Sequence, residues 1–262
     1  MVNGCEERLK FGSLRLGGTS WVVSGSLEEN LKALSRDVSD IELVLFDTPE
    51  LSNIPPRDEI LRLKDLCCEL GMSCTVHFPE NLCVSEGEAK RIACEDNCLR
   101  TMELFAPLEP FAWIMHLVGE KRGNETSADM EKWRVLADIS SSRVAKHTDE
   151  PHKICVETLD YDFDYVHDIV LKNGFSICLD IGHIVRYKRN VINTLRKYLP
   201  HTRVLHIHGV TPDGTDHTAM EYFDKKLLRS VLSICDDGTE RVMSIEVFED
   251  DYKKSLKVFR EL

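Results

Sequence analysis

The stretch VLHIHGVTPDGTDH, residues 204–217, gathers three histidines and two aspartates behind a short apolar run with the composition of a strand. Imidazoles mixed with carboxylates, without clustered thiolates, suit zinc, manganese, iron or cobalt better than a soft copper site. Residues of the same types stand at the ends of other apolar runs: His77 in SCTVHF, His116 in FAWIMHL, Glu157 in KICVET, Asp180 in FSICLD and Glu246 in VMSIEVF, with Glu42 inside IELVLF. His183 follows Asp180 by three positions in LDIGH, and His217 lies on the loop beyond His206 and His208. Each residue alone has an ordinary explanation, a hydrogen-bonded core histidine or a carboxylate paired with an arginine. That explanation must be repeated independently at every strand end, whereas one metal site accounts for all of them, because a buried carboxylate is costly unless it is paired or binds a metal. A site for one to three divalent ions is therefore expected, with zinc the leading candidate and manganese, iron or cobalt compatible.

Such residues meet only if the chain brings its strand ends together. Apolar, β-rich runs at 14–23, 41–46, 73–78, 111–117, 153–158, 175–180, 203–208 and 242–248 alternate with longer segments of helical periodicity. Pro55-Pro56 precede Ile60, Leu63, Cys67 and Leu70, and Gly71 stops that helix. Ser85 and Glu88 have capping-box spacing ahead of Ile92, Leu99 and Met102, while Asp160 and Asp162 precede Val166, Ile169 and Val170 before Asn173-Gly174. The apolar runs are too continuous for a sheet with one wet face, so buried parallel strands with helical crossovers are predicted. Eight such units predict an α/β fold, a (β/α)8 TIM barrel forming one domain over residues 1–262, with an open doubly wound sheet as the alternative. In a barrel every strand carboxyl end opens on the same face, where active sites are built. No linker, low-complexity segment or close internal repeat interrupts the alternation.

Composition narrows the function classes. A formal charge of −12 without a basic run argues against nucleic acid as the main partner and leaves room for a small phosphorylated ligand. No apolar stretch reaches the roughly 18 residues that cross a bilayer. The amino-terminal MVNGCEERLKFG also lacks the apolar core of a secretion signal, so a cytoplasmic protein without a membrane partner is expected. The ten cysteines are scattered, with Cys74, Cys155 and Cys178 inside apolar runs, and are expected to be reduced and mostly buried. Cys94 and Cys98, four apart without a second pair, make a weak zinc motif.

The series HFP, IMH, VET, LDIGH, LHIH, TDH and IEVF resembles, over roughly residues 15–250, the xylose-isomerase-like TIM barrels that include AP endonucleases and sugar isomerases or epimerases. More narrowly, GGTSWVV, DIELVLFD, TVHFPENL, VETLDYDFDYV and CLDIGH look like the cobamide-remodelling phosphodiesterases within that superfamily, which open the nucleotide loop of a cobamide so that its lower ligand can be exchanged. The resemblance implies that Glu157, Asp180, His206 and Glu246 form a central metal site with Glu157 bridging, that His77 and His116 hold a second metal, and that His183 and His217 belong to a third. The nuclease branch carries an aspartate ligand two residues before that last histidine, where this chain has Thr215; His208, Asp213 and Asp216 are the available substitutes.

The expected activity is a metal-dependent hydrolase acting on the cobamide phosphodiester, in which bound metals lower the pKa of a water and clamp the phosphoryl oxygens. Glu157, Glu246 and His183 are the expected catalytic groups, with Glu42 orienting a ligand from behind it. Trp21, Phe78, Trp113 and Phe248, near strand ends, are candidates for the apolar edge of a corrinoid. His208 is a further candidate contact, and Lys121, Arg122 and Arg186 are candidates for a phosphate. The alternative is a sugar or sugar-phosphate isomerase or epimerase, in which Glu157 and Glu246 flank a carbonyl across one metal and move a proton. An AP endonuclease and a non-catalytic metal-binding or corrinoid-carrying protein are further alternatives.

Overall fold

The computed structural model describes residues 8–48, 50–79 and 81–262; Cys5 and the rest of the first seven residues, and Glu80 of the TVHFPENL motif, lie outside them. Eight parallel strands form the centre: β1 (Leu14–Thr19), β2 (Asp40–Val44), β3 (Ser73–His77), β4 (Ala112–Met115), β5 (Ile154–Glu157), β6 (Ser176–Asp180), β7 (Thr202–Ile207) and β8 (Arg241–Ile245). Each pairs with the next and β8 pairs with β1, which closes a (β/α)8 barrel and rules out the open sheet. Each expected strand run overlaps one of these strands. The first was drawn too long: β1 ends at Thr19, and residues 20–25 turn toward the first helix.

Around the barrel lie α1 (Leu27–Leu34), α2 (Arg57–Leu70), α3 (Glu88–Phe105), α4 (Met130–Ala145), α5 (His167–Lys172), α6 (Ile181–Arg186), α7 (Val191–Tyr198), α8 (Lys225–Cys235) and α9 (Glu249–Arg260). Helix α2 starts after Pro56 and stops at Gly71, whose left-handed φ of 58° lets its N–H reach back to the Cys67 and Cys68 carbonyls. The expected Ser85–Glu88 capping box is not made. The Ser85 hydroxyl donates to Glu120 instead, and α3 begins behind Gly87 without a side-chain cap. A reciprocal box does form at Ser26 and Glu29, ahead of α1. Asp162 caps a single 3-10 turn, Phe163–Tyr165, and this confines α5 to the six residues before Asn173-Gly174.

Alternation along the strands divides the core in two. Outward residues such as Leu16, Leu43, Val76 and Ile177 pack against the helices, each buried side chain contributing about 1.5–3 kcal/mol. Inward residues Ala112, Ile114, Cys155, Cys178 and Val204 fill the lumen, where the cysteines act as small hydrophobes and burial drives the Cys155 thiol up to about 12. Phe111 closes the foot of the barrel between the guanidinium groups of Arg15 and Arg203, 4.8 and 4.0 Å from its ring. Cys94 and Cys98 are buried on α3. No helix among the described residues is long and apolar enough to cross a membrane.

Candidate metal centre

The inward alternation that fills the lumen also ends it. Two residues beyond Ile114, Cys155, Cys178, Val204 and Ser244 stand His116, Glu157, Asp180, His206 and Glu246, and His77 follows Thr75 in the same way. Parallel pairing sets His206 beside Asp180 and Glu157 beside Cys178. Asp180 ends β6 and caps α6, its Oδ1 accepting from the His183 N–H at 2.8 Å. The result is one cluster on the carboxyl face of the barrel, dry at its centre and open at its edge. His206 and Asp180 are fully buried and Glu157 is 2% exposed, whereas the His116 and His217 side chains are 21% and 28% exposed.

Two groups of donors converge on Glu157. On one side His77 Nε2 and His116 Nε2 stand 3.1 Å apart, 3.7 and 3.0 Å from Glu157 Oε2. On the other, His206 Nδ1 lies 3.3 Å from both Glu157 Oε2 and Glu246 Oε2. Tetrahedral ligands about 2.05 Å from a zinc ion are separated by roughly 3.3 Å, so both spacings match donors around an ion. Proton placement, assigned from hydrogen-bond partners, leads to the same conclusion. His77 Nδ1 donates to the Phe78 carbonyl and His206 Nε2 to Glu42 Oε2, each at 3.0 Å, leaving His77 Nε2 and His206 Nδ1 as lone pairs directed at carboxylate oxygens. Asp180 Oδ2, His206 Nδ1 and Glu246 Oε2 are buried without a hydrogen bond, because their close neighbours are not aligned as donors. Acceptors this crowded repel one another unless a cation lies among them. The residues present therefore fit divalent ions.

The electrostatics reflect that demand for positive charge. Burial alone raises the Glu157 carboxyl, but His116 and His206 outweigh it and hold the group well below its usual range. Burial is likewise outweighed at Asp180 by His183 and His208, and at Glu246 by His206 and His217, which bring Glu246 to about 2. Burial depresses the His77 and His206 rings, yet the surrounding carboxylates raise both.

A third group sits nearer the rim. His183 Nδ1 donates to the Thr158 carbonyl at 3.2 Å, leaving Nε2 as a lone pair 4.0 Å from Asp216 Oδ2, which is also 4.0 Å from His217 Nε2. Asp216 is the loop carboxylate that faces these two histidines, while Asp213 turns to the hydroxyls of Thr211 and Thr215. Asp216 is also ion-paired with Arg186. Above the three groups opens a cleft of about 950 Å³, lined by His77, His116, Lys121, His183, Arg186 and His217 among others.

Residues 33–262 match the family described as the xylose isomerase-like TIM barrel. The chain belongs to that family. Among solved structures, it is similar to a D-tagatose 3-epimerase-like protein (20% identity, 94% of this chain and 96% of that one, TM-score 0.73). It is also similar to the 3-keto-D-glucoside 4-epimerase YcjR from E. coli (13%, 95% and 100%, 0.70) and to an IOLI protein with a bound zinc atom (15%, 94% and 95%, 0.70). No curated protein matches the sequence. At these identities the structural likeness shows the fold alone.

Within this xylose isomerase-like barrel, three expected substrate contacts are corrected, Phe78 among them, which is only 2% exposed. Trp113 faces outward from β4, 6% exposed and stacked on Phe78 at 5.8 Å, because alternation sends it to the helix layer when Ile114 faces the lumen. His208 is fully buried behind Gly182; a Cβ there would lie 2.3 Å from its ring. Its ring lies 4.2 Å from that of His217, so it backs the rim group instead of meeting solvent. Trp21 is partly exposed beside the cleft, and Glu42 lies behind His206. Sequence reasoning missed Asn81, whose Oδ1 accepts from His116 Nδ1 at 2.7 Å, and Thr158, whose hydroxyl accepts from the Asp180 N–H at 2.9 Å. Their positions in HFPEN and VET, adjoining the named histidine and glutamate, were the available signal.

Proposed function

We propose that the protein is a metal-dependent phosphodiesterase that hydrolyses the nucleotide loop of cobamides, allowing their lower ligand to be exchanged. The observation that carries this reading is the second donor group: His77 and His116 converge on the same Glu157 oxygen that faces His206. A one-metal enolising site has no use for that pair, whereas hydrolysis of an anionic diester gains from two cations. Divalent ions held here, zinc first, with manganese, iron or cobalt as alternatives, supply water activation and neutralise charge on the phosphoryl oxygens.

In this reading Glu157 bridges the two donor groups, with Asp180, His206 and Glu246 on one side and His77 and His116 on the other. Glu42 fixes the tautomer and orientation of His206. Glu246 orients the attacking water and accepts its proton, and the His183 Nε2 lone pair, directed toward the rim, takes that proton up and delivers it to the departing alkoxide. Water adds across the P–O bond, hydroxyl to phosphorus and hydrogen to the leaving oxygen. A cleft of about 950 Å³ lies at the upper end of the ~300–1,000 Å³ typical of small-molecule sites and far exceeds the needs of a monosaccharide.

The test is incubation of purified, metal-analysed protein with an adenosylated cobamide, followed by mass identification of the products. A corrinoid that has lost its lower-ligand nucleoside or nucleotide, according to which P–O bond is cut, is expected; an intact cobamide after prolonged incubation of metal-loaded protein overturns the reading. The second reading, a sugar epimerase or isomerase, is favoured by the placement of Glu157 and Glu246 on either side of His206 and by the names of the structural neighbours. It requires about one metal per chain and exchange of a carbon-bound proton of a ketose with solvent deuterium.

A further inference from the structure

The rim of the cleft differs in character from one side of the barrel to the other. On the loops after β1 and β8, which are neighbours, two large aromatic residues are exposed: Trp21 at 38% and Phe248 at 46%. Neither is loosely held. Trp21 Nε1 donates to the Val44 carbonyl at 3.3 Å, its own carbonyl accepts from the Glu249 N–H at 3.0 Å, and its ring lies 5.7 Å from Phe46. Phe248 is followed by Glu249, a non-glycine residue at φ 41°, a backbone state that costs about 1–3 kcal/mol and concentrates at ligand clamps. Phe248 also adjoins His217 of the rim group, at 6.2 Å between rings. The chain thus fixes two aromatic faces in solvent beside its metal centre, where burying them elsewhere would stabilise the fold.

Across the barrel, after β4, the rim carries Lys121 and Arg122, both exposed, lining the cleft and without an ion pair among the described residues. Their loop is tied down: Gly119 N donates to Thr126 Oγ1 at 2.8 Å, Lys121 N to Thr126 O at 2.9 Å and Gly123 N to Asp160 Oδ2 at 2.6 Å. Two acids that line the cleft with them are otherwise engaged, Asp160 by that N–H and Glu120 by Ser127 Oγ at 3.0 Å and Ala128 N at 2.6 Å. In a chain of net charge −12, two unmatched cations held at the mouth of the functional cleft stand out against their surroundings.

We propose that this mouth is a two-part seat for one large amphiphilic ligand, with Trp21 and Phe248 taking the apolar edge of a macrocycle and Lys121 and Arg122 taking an anionic group on the opposite side. The proposal rests on the hydrolase reading and deepens it, because it names the residues that select a bulky, apolar-edged phosphodiester over a small one.

The test uses the metal-loaded full chain and three probes: an intact cobamide, a corrinoid lacking the nucleotide loop and its phosphate, and bis(p-nitrophenyl) phosphate. By calorimetry, Trp21→Ala and Phe248→Ala are expected to weaken the loop-free corrinoid about tenfold each. They are also expected to lower kcat/KM for the cobamide by a larger factor than for bis(p-nitrophenyl) phosphate. The Lys121→Ala, Arg122→Ala double variant is expected to weaken the intact cobamide at least tenfold more than the loop-free corrinoid, and to flatten the salt dependence of cobamide binding. Circular dichroism checks that each surface variant is folded. Equal losses on all probes, or no binding of the loop-free corrinoid to the unmodified protein, overturns the seat. Corrinoid binding with these losses but without hydrolysis of either diester supports the seat and overturns the reaction. Hydrolysis of the small diester without corrinoid binding does the reverse.

Discussion

Glu42→Gln isolates the residue that supports His206 from behind. Glu42 is fully buried; its Oε2 accepts from His206 Nε2 at 3.0 Å and its Oε1 has no hydrogen-bond partner. Glutamine can still accept the imidazole N–H, so the tautomer that leaves Nδ1 facing Glu157 and Glu246 is kept. What is lost is the negative charge that makes that nitrogen a stronger donor. Removal of such outer carboxylates costs 10–100-fold in metal affinity or activity, or about 1.4–2.7 kcal/mol. Left without an acceptor, the new amide NH2 in the place of Oε1 costs folding about 1–3 kcal/mol. In a chain of this size that lowers Tm by roughly 2–12 °C. Competition with a chromophoric chelator measures the first effect, and thermal melts with and without metal measure the second. A variant that binds metal within twofold of the parent while melting normally would refute the assignment of His206 as a ligand supported by Glu42.

Four further outcomes are expected. Glu157→Gln removes the oxygen shared by both donor groups and lowers kcat by about 10²–10⁴-fold with a fall in metal content by elemental analysis; full activity and full metal would sink the bridging role. Exhaustive chelation abolishes activity and lowers Tm, and metal at a hundred times its Kd restores about 2.7 kcal/mol of stability; undiminished activity after chelation contradicts the metal centre. Gly182→Ala drives a Cβ into the buried His208 ring, costing about 1–3 kcal/mol measured by denaturant melts, and an unchanged midpoint would show that the ring can move aside. At the barrel foot, burial raises the Asp40 carboxyl from 3.8 to about 7. The folded state therefore holds this proton more tightly than the unfolded chain, so stability falls as pH rises from about 4 to 7 and is level above, by up to roughly 4 kcal/mol. Asp40→Asn should flatten that slope in melts at pH 5 and pH 8, and an unaltered slope assigns it to other groups.

Most of the barrel was legible because its strands carry their signal in composition: runs such as SICLD and RVLHIH are apolar on both faces, as buried parallel strands must be. The site was legible for a related reason. A carboxylate or imidazole at the end of such a run has no water to satisfy it, so its presence already implies a partner. What was not legible depends on side-chain direction and on competition. Trp113 and His116 are both near the end of β4, but only a register fixed by closure tells which one faces the lumen. Ser85 has the spacing of a cap and loses that role to Glu120, a partner 35 residues away that no local pattern reveals. The exposure of Trp21 and Phe248 is equally non-local, since it follows from the Glu249 N–H reaching the Trp21 carbonyl across two loops.

Hydrolysis and epimerisation would draw on the same central cluster. Glu157, Asp180, His206 and Glu246 lie in one cluster, and such a set of donors serves proton transfer at carbon as well as hydrolysis at phosphorus, because both need a polarised oxygen between two carboxylates. Discrimination therefore lies outside these four residues. His77 and His116 bring two imidazole nitrogens to Glu157, and imidazoles add capacity for a cation without adding negative charge that would repel an anionic diester. Two substitutions separate the chemistries without touching the central four: His77→Ala and His116→Ala should remove about one metal per chain and abolish diester hydrolysis, whereas an epimerase would keep its central metal and most of its turnover.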